Sequence, residues 1–339
     1  MDILIKSYNR PYYLDRCIQS IYLNCINSDF KIKILDDGTP QKYLDKLQNK
    51  FPEIQICKSE FYEEKVNFTS KGKQPEINKI PIELWLKGAK NASDYFILLE
   101  DDIWFVEKFD LNKLHQNCIE NKLVFVKLFW LGNKKLIQSK THFVKDNLVV
   151  FEPNLYLRNP LLYKFVFYKF NRFKIRKTLK ALRIHTYDRF LSYYSIYAVA
   201  GVVFRKDYFL SLWNDHKNEV DEGLQLYNSV KYLNTNKDKI AFAYTNNEVV
   251  KTGFLSSATN QFKNYKDVKI DMFLFNKTVN EAWFNDELDV MQKYPKDLNS
   301  EQIVAIIEKE NNIDLQVVEW KKWVSSFKNQ FQSFGCNID

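Results

Sequence analysis

Tyr95-Phe96-Ile97-Leu98-Leu99-Glu100-Asp101-Asp102 is the stretch on which the fold turns. Its apolar run has no polar alternation, the pattern of a strand covered on both faces, and it stops abruptly in three acids. Upstream the arrangement repeats. Ile3-Leu4-Ile5 runs into Ser7-Tyr8-Asn9-Arg10-Pro11 and then into helical spacing at Leu14, Ile18, Ile21 and Tyr22. Lys31-Ile32-Lys33-Ile34-Leu35 runs into Asp36-Asp37-Gly38-Thr39-Pro40, followed by a helical stripe of Tyr43, Leu44 and Leu47. Glu53-Ile54-Gln55-Ile56-Cys57 reads as a further strand, residues 58–78 as a polar loop, and Ile80 to Ala89 regains helical spacing. Strands alternating with helices predict an α/β fold with a mostly parallel sheet flanked by helices. Ligands of such sheets sit outside the carboxyl ends of the strands.

Further along, strands are expected at Leu123–Leu128, Tyr197–Phe204 and Ile240–Tyr244, with helices around Asp207–Asp215 and Glu222–Tyr232. From about Asn276 the stripes Ile303, Ile306, Ile307 and Val317, Val318, Trp320, Trp323 are helical. The division that follows is an α/β domain over 1–275 and a helical C-terminal extension over 276–339. A chain that is 45% hydrophobic with only 8 Gly and 8 Pro is globular. The five cysteines are odd in number and form no C-x-x-C, which argues against a disulfide framework and a zinc knuckle. With no signal-peptide pattern and no long apolar run, the expectation is a cytoplasmic protein in a reducing compartment.

The acids carry the chemistry. Asp36-Asp37 and Glu100-Asp101-Asp102 end strands of one inferred parallel sheet, so both open on one edge, and like charges gathered there need a cation or donors. Mg²⁺ or Mn²⁺ meets that need and also neutralises a departing diphosphate. Neither G-x-G-x-x-G nor G-x-x-x-x-G-K-[ST] is present, so backbone cradling of phosphates is disfavoured. Singly, Asp-Asp-Gly-Thr also suits an ordinary turn, and Glu100-Asp101-Asp102 an N-cap.

These motifs together resemble family 2 glycosyltransferases of the GT-A type. Ile3 through Leu14 is similar to that family's opening strand, Thr/Ser-Tyr-Asn-Arg loop and helix. Ile34-Leu35-Asp36-Asp37-Gly38-Thr39 is similar to its Val-Asp-Asp-Gly-Ser step, and Leu98-Leu99-Glu100-Asp101-Asp102 to its D-x-D motif. The match covers roughly the first 105 residues well. The resemblance implies a Rossmann-like GT-A fold and transfer of a sugar, with inversion, from a nucleotide-diphosphate donor, a UDP-sugar first among them. The acceptor would be a glycan or a lipid-linked molecule of surface polysaccharide or lipopolysaccharide synthesis. It implies that Ser7, Asn9 and Arg10 lie along the nucleotide pocket and that Asp36 or Asp37 receives the base or ribose. Asp102 would hold Mn²⁺ or Mg²⁺, with Asp101 near the ribose or the metal's water shell.

Inverting transfer also needs a base. Asp221 and Glu222 open a helical stripe, much as the family places an acidic pair before a helix near the acceptor; equally, they suit a helix's first turn on electrostatic grounds. Gly201, in Ala198-Val199-Ala200-Gly201-Val202-Val203-Phe204, resembles a glycine near the donor sugar, and is also what a bulge in a core strand requires. Lys251 stands where many relatives carry a metal-binding His.

From Arg158 to Arg189, ten Lys or Arg face one acid, and aromatics such as Phe165, Phe167, Phe170 and Phe173 interleave with them. The pattern suits a helix on an anionic membrane and also a solvated basic face over an acidic acceptor. Nucleic acid is disfavoured, because it would leave the acidic clusters unexplained. The alternatives to a transferase are a non-catalytic nucleotide-binding or membrane-docking module and a sugar nucleotidylyltransferase, whose Gly-rich basic loop is missing after the first strand.

Overall fold

The computed structural model describes residues 1–339 apart from 78, 169–174, 218, 238, 261–267 and 339. Its strands, in chain order, are β1 (Asp2–Ser7), β2 (Cys25–Ile26), β3 (Ile32–Asp36), β4 (Gln55–Lys58), β5 (Tyr95–Glu100), β6 (Ile103–Phe105) and β7 (Phe109–Asp110). The second half adds β8 (Leu123–Lys127), β9 (Ser139–Lys145), β10 (Leu148–Pro153), β11 (Val202–Arg205), β12 (Ala241–Thr245) and β13 (Val250–Thr252). Nine of them form one sheet in the order β4-β3-β1-β5-β11-β8-β12-β10-β9, and β13 pairs with β6 beside it.

The sheet is mostly parallel, as the alternation of elements requires. Only β11 and β10 oppose their neighbours. Register matters for the site: Ser7 lies opposite Asp36 and Lys6 opposite Glu100, so three strands end in polar residues at one level. Side chains alternate between two apolar layers. Ile3, Ile5, Ile97 and Leu99 join one core, while Leu4, Phe96 and Leu98 join the other. Burial on both faces explains why β5 reads as a continuous apolar run.

Helices α1 (Pro11–Asn24), α2 (Gln41–Lys50), α3 (Tyr62–Thr69) and α4 (Ile82–Lys90) connect the first strands. Helix α3 falls within the stretch read as a loop. Its buried face is Tyr62, Lys65 and Thr69, which is helical spacing built from polar groups. They hydrogen-bond the loop after β3: Tyr62 Oη donates to Thr39 O at 2.8 Å and Thr69 Oγ1 to Gly38 O at 2.8 Å. The β9–β10 hairpin is a second element not foreseen, and it turns through Asp146, which has φ 52°.

The strand expected from Tyr197 begins only at Val202. Gly201 before it has φ +66°, and a Cβ there would lie 2.1 Å from the Phe129 ring, so the chain bends where a side chain cannot fit. The helix Met272–Phe284 crosses the 275/276 division and packs on α1 and α2. Ile303, Trp320 and Trp323 from the following helices belong to the same core as β1. No described helix is long and apolar enough to cross a membrane, and the five cysteines are free.

Candidate active site

The site starts with the turn after β3. Asp36 is fully buried; its Oδ1 accepts from the backbone N–H of Gly38 (3.0 Å) and Thr39 (2.8 Å), and its Oδ2 from Thr39 Oγ1 (2.6 Å). Those bonds make Asp36 the shaper of the turn. Asn9, also fully buried with φ 53°, donates its N–H to Thr39 Oγ1 at 2.9 Å and accepts from Asn280 Nδ2 at 3.2 Å. Asn9 and Asp36 therefore sit behind the site and fix the geometry of its wall.

Asp37 points the other way. Ser59 Oγ donates to its Oδ1 at 2.5 Å, and Lys65 of α3 forms an ion pair with its Oδ2. Burial pushes its carboxyl up to about 6, against the lowering pull of Lys65. The turn needs Gly38 here: at φ +142°, a Cβ would lie 2.8 Å from Lys65 Cβ.

At the end of β5, Arg10 bridges the acids. Its guanidinium pairs with Asp101 Oδ1 and, at 2.8 Å, with Asp102 Oδ2. Asp101 also accepts from the backbone N–H of Tyr8 at 3.2 Å. Burial pushes Asp101 up to about 7, with Arg10 opposing and Asp102 adding, and it raises Asp102 as well. Glu100 would rise with burial, but Lys6, 2.8 Å away, holds it below its ordinary value.

These groups surround a cavity of about 300 Å³. Ser7, Arg10, Asp37, Lys65 and Asp101 line it, with the rings of Tyr8, Trp85 and Phe273. Fixed cations beside aromatic faces suit an anionic ligand that carries a ring. Asp102 does not line this space but is joined to it through Arg10. Its Oδ1 is buried without a hydrogen-bond partner, a vacancy of the kind that a bound ion or ligand fills. Among the described residues, no three His, Cys, Asp or Glu side chains gather to hold a metal. Mg²⁺ and Mn²⁺ take most of their ligands from phosphates and water, so Asp102 Oδ1 is the donor atom this site would offer such an ion.

The remaining candidates lie apart from this cavity. Gly201 caps the edge: its N–H donates to Leu98 O at 2.8 Å, and its lack of a side chain is required by Phe129. Asp221 N-caps the helix Glu222–Thr235, accepting from Leu224 N at 3.0 Å and from Tyr168 Oη at 2.8 Å. Glu222 accepts from Tyr194 Oη at 2.6 Å. Lys251 lines a different, larger cavity.

Lys65, Tyr8, Trp85 and Phe273 were not anticipated. The signal for Lys65 was the Tyr62, Lys65, Thr69 spacing, hidden because Tyr62 is the one core ring in it and the other two members are polar. Phe273 reaches the site from 236 residues beyond Asp37 in the chain and had no local signal.

No protein-family model and no curated protein matches the sequence. The chain is similar in structure to glycosyltransferases of the GT-A type. A TarS structure from S. aureus (residues 1–349) aligns at 12% identity and TM-score 0.40, over 98% of this chain and 91% of that one. Glucosyl-3-phosphoglycerate synthase from Mycobacterium tuberculosis, in complex with Mn²⁺, UDP and glucosyl-3-phosphoglycerate, aligns at 12% and 0.39, over 74% and 71%. Against a longer TarS chain (11%, TM-score 0.39), 95% of this chain aligns but spans about half, 47%, of that one. These likenesses assign no residue a role.

Proposed function

We propose that the chain is a glycosyltransferase moving a sugar from a nucleoside-diphosphate donor, a UDP-sugar first, to a hydroxyl of a glycan or lipid-linked acceptor. The observation that carries this reading is the cavity at the carboxyl edge of the sheet, where Asp37 and Asp101 from separate strands meet Arg10 and Lys65. In the step proposed, the acceptor oxygen bonds to the anomeric carbon and gives its proton to a carboxylate. The bond from that carbon to the diphosphate breaks, and the nucleoside diphosphate leaves with the electron pair.

Asp37 and Ser7 would meet the nucleoside, Asp101 its ribose, and Arg10 and Lys65 the phosphates. Asp36, Asn9 and Gly201 would hold the walls. Asp221 or Glu222 would take the proton. A Mn²⁺ or Mg²⁺ ion on Asp102 would supply stabilisation of charge on the leaving diphosphate.

A thermal-shift panel of nucleoside diphosphates and nucleotide sugars, with and without Mn²⁺, tests the reading, because a ligand selective for the folded state raises its melting point. UDP is expected to raise the melting temperature, more so with Mn²⁺. No shift with any nucleotide would refute it. Binding without release of nucleoside diphosphate would favour the non-catalytic module, and release of pyrophosphate the nucleotidylyltransferase.

An anionic membrane as a partner is part of the same proposal. Leu161, Leu162 and Leu182 are exposed, and Lys164, Lys180 and Arg183 lie nearby in sequence. Lys169, Phe170, Arg172, Phe173 and Lys174 of the basic stretch lie outside the described residues, and the side chain of Arg176 is likewise not described. Flotation with anionic liposomes, unchanged after the lysines and arginines of 158–189 are neutralised, would count against docking.

A further inference from the structure

The fold holds a second, larger cavity, of about 1140 Å³. The chain places it next to Asp102: Gly253 donates its N–H to Asp102 O at 2.9 Å, and Lys251 and Thr252, just before it, line the cavity. The larger space is thus joined through Gly253 to the end of the acidic cluster, while the smaller, assigned above to a donor, is lined by Arg10 and Asp101.

Five lysines line the large cavity: Lys251 on β13, Lys293 and Lys296 in a loop, and Lys321 and Lys328 on the helix Val317–Ser333. None of them pairs with a described carboxylate, and they reach the one space from three separate segments. Two of the acids in its wall are turned inward. Glu248 accepts from the backbone N–H groups of Trp130 and Gly132, and Asp297 from Tyr13 Oη (2.9 Å) and Phe254 N (2.7 Å). Among the described residues of the lining, five lysines thus face three acids, of which Glu301 alone has a carboxylate with no hydrogen bond to the wall. Converging unpaired cations repel one another, an arrangement that makes sense when an anion is received.

The rest of the wall mixes largely buried apolar side chains, Trp104, Phe254, Leu255 and Trp320, with polar ones such as Thr252 and Asn299. Small-molecule pockets run to about 1000 Å³, so this one exceeds the needs of a single sugar. We infer that the large cavity binds a saccharide chain bearing phosphate or carboxylate groups. Lysines would meet its anions and the apolar wall the C–H faces of its rings. On the transferase reading, on which this assignment of role rests, that chain is the acceptor.

The test is calorimetric titration of the whole chain with tetragalacturonate, tripolyphosphate, neutral maltotetraose and a thymidine tetranucleotide. Tetragalacturonate is expected to bind, more weakly as salt rises, with maltotetraose and the tetranucleotide at least about tenfold weaker. The triple variant Lys296→Gln, Lys321→Gln, Lys328→Gln removes charges that hold no partner in the fold. It should keep its melting temperature and its UDP-induced shift while losing about tenfold in tetragalacturonate affinity. Equal binding of maltotetraose or the tetranucleotide, undiminished binding by the variant, or no binding of either anion would overturn the inference. Tetragalacturonate binding without any nucleotide shift would sink the donor reading and leave this site standing; the reverse result would do the opposite.

Discussion

Replacing Arg10 by Met tests whether this residue is the resident counter-charge of the acidic edge. The side chain keeps much of its length and loses its charge, leaving Asp101 and Asp102 adjacent with no cation between them. At an effective dielectric of about 20, a pair at the 2.8 Å seen for Arg10 and Asp102 gains about 6 kcal/mol before desolvation. Removing one partner of a buried pair costs about 3–5 kcal/mol overall, because the other charge stays buried. Asp102 keeps some contact with solvent, so the lower end, about 3 kcal/mol, is expected. The deficit should also depend on pH. Asp101 already titrates near 7 in the intact protein, and losing Arg10 raises it further. A carboxylate whose folded-state pKa is raised contributes stability that is lost as pH rises through that value. The Arg10→Met deficit is therefore smallest below pH 7 and grows above it. Urea unfolding, followed by circular dichroism on either side of neutrality, measures both quantities. A deficit under about 1 kcal/mol, or one that does not change with pH, would refute Arg10 as the charge that makes this edge tolerable.

Burial pushes Asp37 up to about 6 from an ordinary 3.8, so its contribution to stability should fall by about 2.4 kcal/mol between pH 4 and pH 7. The stability of the parent relative to Asp37→Asn should drop across that window in urea melts; a rise would mean that Lys65 outweighs burial. Gly201→Ala forces a Cβ into the Phe129 ring at φ +66° and should cost roughly 2–4 kcal/mol by thermal melting. Adding Phe129→Ala should relieve the steric part alone, and no rescue at all would count against the clash. Asp102→Asn should abolish the Mn²⁺-dependent part of the UDP thermal shift while leaving the metal-free part. Retention of the full Mn²⁺ effect would remove Asp102 as the ligand. In a transfer assay, Glu222→Gln should lower kcat by about 100-fold or more with KM little changed if Glu222 is the base; an equal loss in Asp221→Asn alone would move that role to Asp221.

Much of the first hundred residues could be read in advance because local signals and tertiary surroundings agree there. The strand Tyr95–Glu100 is apolar throughout since it is covered on both faces, and its acids follow at once because the chain leaves the core at that point. The polar ends of β1, β3 and β5 were legible as one edge for the same reason: in a parallel sheet, strand ends share a level. Helix α3 was not legible, because its buried face docks through hydrogen bonds and an ion pair, and hydropathy does not register those.

The residues alone determined that two acidic clusters would stand at strand ends of an α/β sheet, since periodicity is a property of neighbours in the chain. Only the tertiary structure separated Asp36, which holds a turn, from Asp37, which faces the cavity, although the two are adjacent and chemically alike. Only it brought Arg10 between Asp101 and Asp102, Lys65 to Asp37, and five lysines from three segments around one space. Which partner a charge finds depends on long-range packing, and no local spacing encodes that.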